Sequence, residues 1–199
     1  MSQLLPIIET QIIKHCQEEG FSRIGRSRWF YRDGGKKEFQ DLLFFCFSTY
    51  PASRSVGVFP AIRHLGIEKL YKQITGDKLS APLWVLNTNI GYLTPQSTYK
   101  EWDFYDNSNI KAECHEMFGI IRCFAYPFYD QVEDVEYLLR LYESNGKLIR
   151  LDQQFIILPL LYLLVGEKEK GILFLEEKQT ENRFTPDFRK EYLQKYRCY

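Results

Sequence analysis

The chain has 199 residues, with 26 Lys plus Arg against 26 Asp plus Glu, for a formal net charge of zero. That balance excludes a general nucleic-acid or anionic-lipid binder for the molecule as a whole, because such proteins draw much of their affinity from excess basic charge. At 45% hydrophobic and 26% charged the composition is that of a globular domain and not of a disordered chain, and aromatics are raised to 16%.

Leu4, Leu5, Ile8, Ile12 and Cys16 recur at helical steps, which predicts an amphipathic helix over 4–19 with Gly20 just past its end. Residues 23–32 (RIGRSRWFYR) read as a first strand, followed by a hairpin turn at Asp33-Gly34-Gly35. The continuous apolar centre of residues 39–50 predicts a central strand covered on both faces. Residues 55–62 read as a third strand, and Pro60 places it at an edge or a strand end. A short helix over 66–74 closed by Gly76 comes next. An uncharged stretch over 80–98 holds a strand at 83–86, and a further strand covers 100–105.

From Asn109 the pattern changes. Ile110, Cys114, Met117, Phe118, Ile121 and Phe124 fall at helical spacing. Further helices are predicted over 132–143, 153–165, 168–177 and 187–196, the last opened by Thr185 as N-cap and Pro186 at the first helical position. Strands segregated from helices predict an α+β architecture. Its expected parts are an N-terminal helix with an antiparallel sheet of about four to five strands in 1–106, and a helical region over 107–199 packed on it as one compact unit.

The first twenty residues carry no basic leader, and the most apolar run, FIILPLLYLLV at 155–165, is too short for the roughly 20 residues that a membrane span needs. A buried core helix is the expectation there. Five cysteines (Cys16, Cys46, Cys114, Cys123 and Cys198) without paired spacing predict reduced thiols in a cytoplasm.

The zero sum conceals two opposed blocks: residues 20–80 carry +6 and residues 99–145 carry −6. In the basic block Arg26, Arg28 and Arg32 alternate. A regular strand would put them on one face, able to hold a phosphate or carboxylate as an enzyme or ligand sensor would, with Trp29 and Tyr31 on the other. A merely solvated face is the plainer alternative. In the acidic block Glu101, Asp103, Asp106, Glu113 and Glu116 lie among Trp102 and Tyr105. Carboxylates beside aromatics suit a surface that covers a basic protein partner, the rings giving contact area and the charges steering. A packed aromatic core with charges outside is the corresponding plain alternative.

No reaction signature is present, and neither a catalytic residue, a cofactor nor a metal site is predicted. Cys114-His115-Glu116 is the densest reactive triple, but neighbours on a helix point about 100° apart and do not meet. His15, Cys16, Cys114, His115 and Cys123 lack metal-ligand spacing, and no glycine-rich phosphate loop occurs.

Residues 12–21 (IIKHCQEEGF), Arg26, residues 29–32 (WFYR) and the strand over 39–48 together resemble the opening of small bacterial α+β domains in the wider pool of immunity proteins, which neutralise polymorphic toxins. The resemblance covers about the first 65 residues and leaves the helical half uncovered. It implies a cytoplasmic, non-catalytic protein that binds one cognate toxin and contacts neither nucleic acid nor membrane directly.

Overall fold

The computed structural model describes residues 3–76, 81–144, 146, 149, 151–178 and 186–197, with side chains described for all of these but 151 and 152. The predicted Thr185 cap and Cys198 lie outside the described residues. Among those described, seven helices and six strands give a mixed α and β fold whose single sheet is antiparallel. The strand order is β1 (Ser22–Arg23), β2 (Trp29–Asp33), β3 (Phe39–Thr49), β4 (Arg54–His64) and β5 (Trp84–Asn87), and β6 (Glu101–Phe104) pairs with β4. The sheet is one strand larger than expected.

The chain divides into two compact units, and the division interleaves along the sequence. One comprises Met1–Ile62 and Asn87–Gln131, the other Arg63–Leu86 and Val132–Tyr199.

In the first unit α1 (Leu4–Glu18) forms as its periodicity requires, burying Leu4, Ile8, Ile12 and Cys16 along one stripe. Gly20 follows at φ +80°, a conformation that L side chains rarely adopt. The strand expected over 23–32 is broken in two. Ser27 Oγ donates to the Ile24 carbonyl at 2.7 Å and accepts from the Trp29 amide at 3.2 Å, closing a tight turn over Gly25. Local serine bonding of this kind competes with a strand ladder and wins here.

Strand β2 pairs with β3 in the register Trp29↔Phe44, Phe30↔Leu43, Tyr31↔Leu42 and Arg32↔Asp41. Phe30, Phe45 and Phe47 therefore share one face. That face meets α1 at Ile12 and Ile13, and meets α3 (Ile110–Asp130) where Phe118 stacks on Phe45 at 6.1 Å between ring centroids. Helix α3 opens with Asn109, whose side chain accepts from the Ala112 amide at 3.2 Å, as an N-cap does. Its buried stripe of Cys114, Met117, Phe118, Ile121 and Ala125 is the one read from the sequence, continued to Phe128 and Tyr129.

Pro60 is not at an edge, because β4 has neighbours on both sides. Proline lacks only the N–H, and here its carbonyl is the group used, accepting from the Thr88 amide at 3.2 Å. The pairing with β6 stops at Gly57↔Glu101, three residues earlier.

In the second unit α5 (Leu151–Leu164) is the core helix anticipated for the apolar run. Phe155, Ile157, Leu158, Leu160 and Leu161 are buried all round it, and α2 (Leu65–Thr75), α4 (Val135–Glu143), α6 (Lys168–Glu177) and α7 (Pro186–Tyr196) pack against it. Helices α5 and α6, both expected from the sequence, form a hairpin that turns at Gly166 with φ +80°. Helix α2 was unsignalled at its start. The buried His64 imidazole caps it, Nδ1 accepting from the Ile67 amide at 3.2 Å. Among the described residues no helix is long and apolar enough to cross a membrane.

Candidate functional site

Strand β6 alternates. Trp102 and Phe104 point inward and are buried, opposite Val56 and Arg54 of β4, while Asp103 is exposed. Asp103 lies opposite Ser55, whose buried hydroxyl donates to its Oδ1. Directly before β6 Tyr99 donates its hydroxyl to Glu101 Oε1 at 2.7 Å. Burial and then this bond push the Tyr99 phenol up to about 12. Directly after β6 come Tyr105, 47% exposed, and the exposed Asp106.

The β3–β4 turn lies beside this segment and adds Tyr50, 49% exposed, close enough to Tyr99 (51% exposed) to act on it electrostatically. A row of rings runs from there across the sheet face turned away from α1. Tyr99 to Phe59 is 6.3 Å, Phe59 to Phe44 6.1 Å, and Phe44 to Trp29 4.5 Å between centroids. Phe44 and Phe59 are half-buried. Gly57 makes room for the edge of this row. A Cβ there would stand 3.1 Å from the Phe59 ring and 3.3 Å from the Tyr99 hydroxyl.

The structure thus gathers Glu101, Asp103, Tyr105 and Asp106 around one strand, with Tyr50 and Tyr99 that sequence reasoning did not single out. Tyr50 joins through the β3–β4 turn, a contact between residues far apart in the chain. Trp102 is a core residue, 9% exposed, and not a surface anchor. Glu113 and Glu116 stand on the first turns of α3, Glu116 exposed and Glu113 half-buried. Among the described residues Glu101, Asp103, Glu113 and Glu116 form no ion pair.

The arginines do not form the expected common face. Arg26 is exposed in the turn between β1 and β2, and the other two are already engaged on the face that α1 and α3 cover. Arg28 lies over the Phe47 ring at 4.6 Å and 3.9 Å from Glu9. Arg32 donates from Nε to Asp41 Oδ2 at 2.9 Å, with its guanidinium over Tyr126 at 4.1 Å and Phe21 at 4.7 Å. Trp29 and Tyr31 lie on the opposite face, as alternation requires.

Arg32 belongs to a wider polar cluster. Glu19 accepts from Arg122 at 2.6 Å and from Tyr126 at 2.5 Å. Burial pushes the Glu19 carboxyl up, but the bonds from Tyr126 and Arg122 outweigh it and hold the group below its ordinary value. Burial holds Asp41 above its ordinary value, against the opposing pull of Arg32. Lys36 Nζ donates to the carbonyls of Tyr129 and Asp130 at the end of α3. Donors and acceptors here satisfy one another, which is the arrangement of a structural clamp.

Cys114 is buried, and burial pushes its thiol up to about 12, so it is a poor nucleophile. Among the described residues no three His, Cys, Asp or Glu are grouped as metal ligands. His15 and His115, which the sequence left separate, come together at 6.0 Å between ring centroids. The signal was present: each follows or precedes a buried cysteine, Cys16 or Cys114, on the facing stripes of α1 and α3, so each imidazole falls at the rim of that seam.

No family model, no curated protein and no solved structure matches this chain.

Proposed function

We propose that the chain is a non-catalytic protein-binding module that neutralises a cognate bacterial toxin by covering it. The observation that carries this reading is the surface around β6. Three tyrosines about half exposed, Tyr50, Tyr99 and Tyr105, stand among the carboxylates of Glu101, Asp103 and Asp106. Tyrosine presents a large rigid contact area at low entropic cost, and exposed carboxylates steer a basic partner. The immunity-protein resemblance of the opening residues supplies the class of partner, a protein toxin met in a cytoplasm, and the carboxylates at β6 supply the expectation that its working surface is basic.

Co-purification with the product of the adjacent gene, followed by calorimetry, tests the reading. A stoichiometric complex weakened at least tenfold by Asp103→Lys with Asp106→Lys is the expected result. A complex indifferent to that charge reversal, or no complex, overturns it.

A further inference from the structure

A groove of about 490 Å³, the size of a small-molecule site, lies between α1 and the first turns of α3. Lys14, His15 and Glu18 line it from α1, and Lys111 and His115 from α3. Positions 111 and 115 are one helical turn apart, as are 14 and 18, so each helix presents these groups on one face. His15 is largely buried, its side chain 13% exposed, and its ring stacks on Phe118 at 4.9 Å. It is held in place and not merely swinging at the surface.

The polarity of the groove decides what it can take. Among the described residues Glu18 is its one carboxylate, and that group is already shared between Lys14 Nζ at 3.8 Å and His15 Nδ1 at 3.1 Å. Lys111 and His115 have no ion-pair partner among the described residues. Two ammonium groups repel a metal cation, whereas ammonium and imidazole N–H groups are donors that need acceptors. Six ångströms between the ring centroids lets oxygens of one phosphate group reach both imidazoles, each charge-assisted bond spanning about 2.8 Å. The groove exceeds a free phosphate ion in size and leaves room for an organic remainder.

We propose that the α1–α3 groove binds a phosphorylated small molecule, its phosphate group held by Lys111, His115 and His15. The site is separate from the β6 surface and does not depend on the toxin-binding reading. The test follows the imidazole Cε1–H signals by NMR while the full chain is titrated with inorganic phosphate and with adenosine 5′-monophosphate, against sodium chloride of equal ionic strength. Saturable shifts at His15 and His115 are expected, with half-saturation at about 1 mM or below for the nucleotide. Lys111→Glu, at an exposed position, weakens them at least tenfold, whereas Lys69→Glu on α2 leaves them unchanged. Shifts matched by chloride, no saturation with either probe, or native affinity in Lys111→Glu overturns the proposal.

Discussion

The cluster around Arg32 and the surface around β6 both set carboxylates among tyrosines, yet they are opposite in state. At Arg32 every charge has found its counterpart inside the protein: Asp41 for the guanidinium, Arg122 and Tyr126 for Glu19, two carbonyls for Lys36. On β6 itself Glu101 accepts the Tyr99 hydroxyl and Asp103 the Ser55 hydroxyl, and no cation answers either carboxylate among the described residues. The basic and acidic blocks of the sequence are thus unequal in use. Much of the basic charge goes into holding the fold, and the acidic charge at β6 remains outside it.

The largest expected effect is on the satisfied side. Arg32→Ala strands Asp41, which is 8% exposed, and removes a guanidinium packed on Tyr126 and Phe21. Chemical denaturation should report a loss of about 3 kcal/mol near pH 7. Asp41 is raised in the folded state, so between its unfolded and folded values the native protein binds more protons, and stability grows as pH falls through that window. The penalty of Arg32→Ala should therefore shrink on acidification. A penalty under about 1 kcal/mol at pH 7 would mean that the cluster is not the clamp described.

Glu19 gives the opposite sign. Its folded-state value is lowered, so its contribution is fully present above the ordinary carboxylate value near 4.3 and is lost as pH falls through the folded value. Glu19→Gln should cost about 1 to 2 kcal/mol at pH 7, with the difference from wild type vanishing in acid. A pH-independent difference across denaturation curves would break this assignment.

Smaller still is Tyr99→Phe, which removes one exposed hydroxyl bond to Glu101 and should change stability by about 0.5 kcal/mol. The least effect on folding belongs to Asp106→Lys, at an exposed position, which should shift the denaturation midpoint by an amount worth under about 0.5 kcal/mol. Asp103→Lys also takes the acceptor from the buried Ser55 hydroxyl and should cost about 1 kcal/mol, while the two together lower partner affinity at least tenfold. Equal losses of stability at Arg32 and at the aspartates would erase the distinction between the two regions.

Helices α1 and α3 and the alternation of β6 were legible because each is set by a local repeat of apolar residues against one covering surface. What escaped was decided by single groups or by distant contacts. A serine hydroxyl at Ser27 cut a strand in two, and the carbonyl of Pro60 served a neighbour that the ring seemed to forbid. A histidine capped α2 where Ser, Thr, Asp or Asn would be sought. At the candidate surface the carboxylates of residues 101–106 were visible as a run, but Tyr50 enters through a turn some fifty residues upstream. The parity of Arg28, Arg32, Trp29 and Tyr31 was correctly implied by a two-residue period. The period could not show that the arginine face would be covered by helices.

Gly57 touches no proposed partner, yet it controls how the surface is displayed. A side chain there would press on the Phe59 ring and the Tyr99 hydroxyl, which must give by a few tenths of an ångström beside the Tyr99–Glu101 pair. In a screen that scores binding, Gly57 would emerge as a sensitive position with an unaltered contact list, and a map of the interface drawn from such a screen would extend one strand further into the sheet than the partner reaches.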